Sequence, residues 1–166
     1  MNLPALPGAT PFSELCSERE RWRREGRRIV LTNGCFDLLH SGHIFLLQQA
    51  ARFGDRLVVA LNSDDSVRTL KGPGRPILSQ ELRAYALHSV RWVDGLFIFD
   101  GTRADREIRA FAPDVYVRAR DRTVSDLDSK ELRALRAVGA RIEFVSLLAG
   151  FSTTSLLERI RQPQSI

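Results

Sequence analysis

Five short apolar runs recur along the chain: Ile29-Val30-Leu31, Leu57 to Leu61, Leu96 to Phe99, Val115 to Val117 and Ile142 to Val145. Each is too short for a helix and is bounded by polar or turn-forming residues, which is how a buried strand reads. Between them lie segments with helical spacing of apolar positions, Gly42 to Phe53, Ser79 to Val90, Thr102 to Phe111, Ser125 to Val138 and Thr153 to Ile160. Thr10-Pro11 is placed to cap and start an earlier helix through about Gly26, with Phe12, Leu15 and Trp22 inward. Thr102-x-x-Asp105 and Ser125-x-x-Asp128 resemble capping boxes with an acid in place of the usual Glu or Gln, and Asp64 is placed to cap a helix of its own. Apolar strands alternating with amphipathic helices imply a parallel sheet covered on both faces, so the expected fold class is α/β with a doubly wound parallel sheet.

Length and composition keep that picture simple. The chain has 166 residues, 43% of them apolar and 27% charged, enough for one core of ordinary size. Residues 1–11, with Pro4, Pro7 and Pro11, read as a flexible tail, and 12–162 as one domain. No apolar run approaches the ~20 residues that cross a bilayer, and Met1-Asn2-Leu3-Pro4 lacks the basic-then-apolar order of a secretion signal, so a cytoplasmic protein with no membrane partner is expected. Cys16 and Cys35 have no metal-ligand spacing and are expected as free thiols, without a metal site. The net charge of +5 favours anionic partners, but the densest basic cluster, Arg19 to Arg28, is interleaved with acids and reads as a solvated helix face.

The most informative segment is Thr32-Asn33-Gly34-Cys35-Phe36-Asp37-Leu38-Leu39-His40-Ser41-Gly42-His43. It follows the first strand and opens a helix, and a helix N-terminus offers unpaired N–H groups and a positive dipole end to phosphate. His40 and His43 add side-chain donors there. Gly34 and Gly42 remove a Cβ that would hold a phosphate away from the backbone. Neither the Walker nor the dinucleotide-binding glycine pattern is present. In a doubly wound sheet the crevice outside the carboxyl end of the first strand is where ligands bind.

The segment resembles the nucleotidyltransferase superfamily whose hallmark is His-x-Gly-His. Its longer form is similar to the heptose 1-phosphate adenylyltransferase branch of the cytidylyltransferase-like family. Val59 to Ser66, Leu70-Lys71-Gly72, Arg75-Pro76-Ile77, Glu81-Leu82-Arg83 and Ser152-Thr153-Thr154 follow in that family's order, over about Phe12 to Ile160. The resemblance implies a Rossmann-like nucleotidyltransferase fold and direct in-line transfer of a nucleoside monophosphate from a triphosphate to a phosphorylated acceptor. It implies His40, His43 and Lys71 as catalytic residues. It places Thr32, Asn33, Gly34, Phe36, Gly42, Arg75, Ser152, Thr153 and Thr154 around the nucleotide, and Asp37, Arg83, Arg118, Arg120 and Asp121 toward the acceptor. Glu81 and Arg83 are equally readable as a surface helix pair, Asp37 as a loop-positioning acceptor of backbone N–H groups, and His88 as structural. Mg²⁺ would arrive on the triphosphate, and a homodimer is implied.

The chain departs from that branch after Val115-Tyr116-Val117. Where the branch has Lys-Gly-Gly-Asp, this sequence has Arg118-Ala119-Arg120-Asp121. Arg120 either fills space a heptose ring would occupy or clamps a differently placed phosphate. ATP with heptose 1-phosphate is the expected substrate pair, with Asn33 and Arg75-Pro76-Ile77 favouring ATP over CTP. The alternatives are a cytidylyltransferase acting on glycerol 3-phosphate or a similar alcohol, and a non-catalytic nucleotide- or RNA-binding regulator. The chain lacks the aromatic-studded basic strands that stack bases, so no nucleic-acid partner is expected.

Overall fold

Alternation along the strands divides the core in two. β1 (Ile29–Gly34) sends Ile29 and Leu31 to one face and Val30 to the other, while β2 (Arg56–Asn62) sends Val58 and Ala60 to the first and Leu57, Val59 and Leu61 to the second. With β3 (Gly95–Phe99), β4 (Val115–Ala119) and β5 (Arg141–Val145) they form an all-parallel sheet in the order β3-β2-β1-β4-β5. The structure, a computed structural model, describes residues 8–119 and 127–146.

Because both faces are apolar, both must be covered. The first is packed by α1 (Phe12–Arg24) through Leu15 and Trp22, α5 (Asp105–Phe111) through Ile108 and Phe111, and α6 (Ser129–Val138) through Ala134 and Leu135. The second takes α2 (Ser41–Ala50) through Leu46, Leu47 and Ala50, and α4 (Gln80–His88) through Ala84 and Leu87. α3 (Asp64–Lys71) precedes α4 in the same crossover. The chain thus winds outward from β1 to β3, then returns to lay β4 on the other side of β1. That reversal places the crevice of a doubly wound sheet between the carboxyl ends of β1 and β4. No helix among the described residues is long and apolar enough to cross a membrane.

The strands stand where the apolar runs put them, and several boundaries differ for identifiable reasons. β1 continues past Leu31 to Gly34 because its parallel pairing with β2 runs on to Gly34 opposite Leu61. Ser63, rather than Asp64, is the N-cap of α3, its hydroxyl accepting the Ser66 N–H at 3.3 Å. α5 starts three residues after Thr102, and no side chain caps it; the Glu131 carboxylate of α6 accepts the Ala104 N–H at 2.9 Å instead. In α6, Asp128 is itself the cap, accepting the Lys130 N–H at 2.8 Å. Thr10 does not cap α1 with its side chain, but its backbone N–H donates to Leu96 O at 2.7 Å and anchors the segment before that helix. Ser125 and the helix expected over Thr153 to Ile160 lie outside the described residues.

At Gly54, in the turn before β2, the backbone passes close to its neighbours. A Cβ there would meet Arg28 O and Val30 Cγ2, each at 2.7 Å. Gly54→Ala is therefore expected to destabilise the fold by about 1–3 kcal/mol, read as a lower urea midpoint at unchanged slope.

Candidate active site

The turn from β1 into α2 is built to leave donors unpaired. His40 is the N-cap of α2 in extended conformation (φ −139°, ψ 170°), with no side-chain cap hydrogen bond, and no acid lies in the first turn. The first intrahelical bond is from Ile44 N to His40 O, so the earlier N–H groups of this turn point past the helix end. Phe36, at φ +44°, turns the chain in the left-handed region, and its buried ring closes over Gly34, where an added Cβ would stand 3.0 Å from the ring edge.

His40 and His43 stack with ring centroids 3.8 Å apart and planes 27° apart, and Phe36 lies against His43 at 5.1 Å. Burial, the His40 charge and the Lys71 ammonium together push His43 down to about 4. Burial and Lys71 also lower His40. Both imidazoles are therefore neutral at physiological pH and act as hydrogen-bonding groups rather than as fixed charges. Their Nδ1 atoms are buried and unpartnered among the described residues, an unmet demand concentrated at this turn.

Two charged side chains join this turn to the segment that carries Lys71, the last residue of α3. Asp37, its side chain fully buried, accepts from Arg75 Nη1 and from Ile77 N, each at 2.6 Å. Burial alone would raise its carboxyl, but the Ile77 N–H, the Arg75 guanidinium and the Lys71 charge outweigh it and hold it below the ordinary carboxylate range. In the opposite direction Arg83 of α4 reaches Cys35 O and Asn62 O. This settles two expectations differently. Arg83 is buried, not a surface partner of Glu81, and its donors are engaged by the Leu78, Cys35 and Asn62 carbonyls and the Asp64 carboxylate. Asp37 serves as the loop-positioning acceptor, across to the Arg75 loop rather than toward the acceptor substrate.

Beside the turn lies a cleft of about 570 Å³ at the carboxyl ends of the strands, lined in part by Asn33, Gly34, Asn62, Lys71, Arg103 and Arg118. Across the β1/β4 reversal, Asn33 Oδ1 accepts both the Tyr116 hydroxyl at 2.8 Å and Arg118 Nη1. Burial, followed by the Glu131 charge, pushes the Tyr116 hydroxyl up, so it stays a donor. With its oxygen doubly engaged, the Asn33 amide has a fixed orientation. Thr32, by contrast, is buried and spends its hydroxyl proton on Val117 O at 2.9 Å, so its side chain turns into the sheet and joins β1 to β4. Burial likewise raises the Cys35 thiol at the cleft wall, which leaves it a poor nucleophile near neutrality.

Arg103 was not singled out from the sequence, where it sits in an unremarkable Gly101-Thr102-Arg103 turn. It enters the cleft because the β3–α5 connection lies at the same edge as β1 and β4, and its only ion pair among the described residues is a loose one to Asp128 at 3.6 Å. Arg120, Asp121, Ser152, Thr153 and Thr154 lie outside the described residues. No group of three His, Cys, Asp or Glu side chains among the described residues converges to hold a metal ion.

A family model for cytidylyltransferase-like proteins matches residues 31–159. The chain is 50% identical over 147 residues to the Bifunctional protein HldE of Koribacter versatilis, covering 89% of this chain and 30% of that protein. It is 43% identical over 158 residues to the Bifunctional protein HldE of Azorhizobium caulinodans, covering 95% of this chain and 33% of that one. The chain thus spans about a third of the length of these curated relatives. Among solved structures, the lipopolysaccharide core biosynthesis protein from Thermoplasma volcanium GSS1 superposes with a TM-score of 0.61 at 25% identity, covering 74% of this chain and 98% of that chain.

The low proton affinity of His43 has a measurable consequence. As pH falls from 6.5 toward 4 the unfolded chain takes up a proton that the native ring refuses, so the fold loses up to about 3 kcal/mol across that window and none of it above. Urea midpoints at stepped pH should show this slope, and His43→Gln should remove most of it; an undiminished slope in the variant would place its origin elsewhere.

Proposed function

The chain belongs to the cytidylyltransferase-like family, and we propose that it transfers AMP from ATP to the phosphate of D-glycero-β-D-manno-heptose 1-phosphate, giving ADP-heptose and pyrophosphate. The observation that carries this reading is the uncapped start of α2, with two neutral stacked imidazoles beside a cleft lined by Lys71, Arg103 and Arg118. The names of the relatives, a bifunctional protein HldE and a lipopolysaccharide core biosynthesis protein, support a sugar as acceptor.

In this reaction an oxygen of the acceptor phosphate attacks the α-phosphorus of ATP in line. The bond from the α-phosphorus to the bridging oxygen breaks, and its electron pair leaves with pyrophosphate. No enzyme nucleophile is needed, in keeping with a half-buried Cys35 thiol whose desolvation keeps it protonated. The protein aligns the two phosphates and supplies donors as charge builds on the transferring group and the leaving pyrophosphate. His40, His43 and the α2 backbone N–H groups face the triphosphate, with Gly42 leaving room for it, while the absent Cβ of Gly34 makes room for the Phe36 ring. Lys71, at the end of α3, closes over the phosphates. Asn33, with its amide fixed, is placed for the nucleotide, and Arg103 and Arg118 for the acceptor. Ser152, Thr153 and Thr154 complete the triphosphate side by resemblance. Arg75 serves this arrangement indirectly, as the partner of Asp37.

The family uses a divalent cation with the nucleotide. The described side chains include no cluster of three that would hold one, so Mg²⁺ would be carried by the triphosphate and water, and would supply neutralisation of phosphate charge. By the same resemblance the protein works in the cytoplasm as a homodimer.

Pyrophosphate release should be seen with Mg²⁺, ATP and heptose 1-phosphate, and not with CTP and glycerol 3-phosphate. The reverse result would move the protein to the cytidylyltransferase side, and binding without release under either pair would leave a non-catalytic binder. His43→Ala should lower kcat by about a hundredfold. Arg103→Ala should instead raise KM for the acceptor by about tenfold with KM for ATP unchanged, the loss of one charge-assisted bond.

A further inference from the structure

Arg83 is the bulkiest of the fully buried side chains. Its guanidinium reaches four acceptors on three segments, Asn62 and Asp64 flanking one junction: Nε donates to Leu78 O at 3.1 Å, Nη1 to Cys35 O at 2.5 Å and to Asn62 O at 2.9 Å, and Nη2 to Asp64 Oδ1 at 2.7 Å. Two of these lead to the chemistry. Cys35 is the first residue after β1 and begins the turn that ends in His40 and His43. Asp64 is the first residue of α3, whose last residue is Lys71. Leu78 closes the loop in which Arg75 and Ile77 bind Asp37.

Neutralising a stranded carboxylate does not account for this arrangement. The Asp64 side chain is 25% exposed and has water as an alternative partner, whereas the Arg83 side chain is fully enclosed. Three of its four bonds go to backbone carbonyls, and those bonds fix positions. A planar guanidinium presents its donors in set directions, so carbonyls and a carboxylate bound to one fork are held at set separations. A lysine ammonium has three donors and no plane.

We propose that Arg83 is a positioning residue for nucleotidyl transfer: one buried guanidinium holds the histidine turn and the lysine-bearing helix at the spacing in which both meet the triphosphate. It touches neither substrate. The proposal rests on the nucleotidyltransferase reading of the site, and its test has one arm that does not depend on turnover.

Arg83→Lys keeps the charge and loses the fork. It should unfold cooperatively, lower kcat by about tenfold or more, and leave KM for ATP within about twofold. In the arm without substrate, the His43 ring protons, followed by NMR, should titrate near 4 in the parent and move toward 6.5 in Arg83→Lys, because the turn is no longer held in its buried position. Arg56→Lys, which weakens the Arg56–Asp94 pair away from the cleft, is the control for lost stability alone and should keep the parent kcat. An unchanged His43 titration and kcat in Arg83→Lys would overturn the proposal, as would a fall in melting temperature with parental kcat at a temperature where both proteins are folded. Should neither parent nor variant turn over nucleotide, the reaction assignment fails while the His43 titration still decides the positioning role. If Arg83→Lys does not fold, Asp64→Asn weakens only the grip on α3 and should lower kcat about threefold; a parental kcat there overturns the proposal.

Discussion

Two parallel strands that end side by side beneath a helix leave carbonyls beyond the ladder, and here Cys35 O and Asn62 O are both taken by the single buried guanidinium of Arg83. An unmet buried acceptor costs about 1–3 kcal/mol, so the exit edge of the sheet needs a donor on this side. The same edge is stitched further along by Asn62, whose amide donates to Ser66 Oγ and to Gly101 O, and by Ser66, whose hydroxyl donates to Gly101 O at 2.7 Å. Across the reversal, Thr32 bonds Val117 O and Asn33 bonds Tyr116 and Arg118. The exits of β3, β2, β1 and β4 are thereby joined by side chains, and Asn33, Arg103 and Arg118 line the cleft at that joined edge. The satisfaction of strand-end polar groups and the precision of the site are one requirement.

Charge is distributed with the same economy. The His40 and His43 imidazoles are neutral because they are desolvated beside Lys71, and they offer donors without adding repulsion to that lysine. The carboxylate of Asp37 is kept ionised despite burial, but its negative charge is spent on Arg75 and the Ile77 N–H rather than facing the cleft. A polyanionic ligand therefore meets the Lys71 ammonium and oriented N–H dipoles at this turn. Such groups reorganise little as charge moves during transfer, the condition under which electrostatic stabilisation is most effective.

The strands, the doubly wound class and the phosphate turn were legible because each is local: an apolar run, a helical period, a His-x-Gly-His after the first strand. What was not legible is pairwise. Arg83 reads as a surface partner of Glu81, since helical spacing reports a face but not which carbonyls end beneath it. Thr32 stands in the motif yet turns into the sheet because β4, 85 residues later, supplies Val117 O. Thr102 looks like a cap, but Glu131 from another helix fills that role. Arg103 sits in a plain turn and acquires meaning only from the strand order, which returns the chain past β1 and sets the β3–α5 loop at the same crevice. Asp37 was read for the right chemistry, an acceptor that positions a loop, although its partner is the Arg75 segment rather than its own.

The two halves of the cleft differ in how firmly they are held. In the proposed assignment the triphosphate side rests on Arg83, Asn62 and Asp37, all buried, the first two bound to more than one segment and Asp37 to Arg75 and Ile77 of one loop. On the acceptor side Arg103 is 42% exposed and tied only to Asp128, at 3.6 Å, among the described residues. A substitution on the first side strands buried polar groups and disturbs histidines and lysine together; one on the second changes a partly solvated cation and little else. Under that assignment a substitution at the exposed Arg103 costs the fold less than one at Arg83, Asn62 or Asp37. Arg118-Ala119, where the resembled branch has Lys-Gly, stand on the acceptor side of that assignment. Arg118 belongs to both halves: it extends from β4 into the acceptor side yet binds Asn33 Oδ1, so a cation that departs from the family's lysine is held by the nucleotide motif itself. A substitution at Arg118 therefore releases one of the two bonds that fix the Asn33 amide at the point where the sheet reverses.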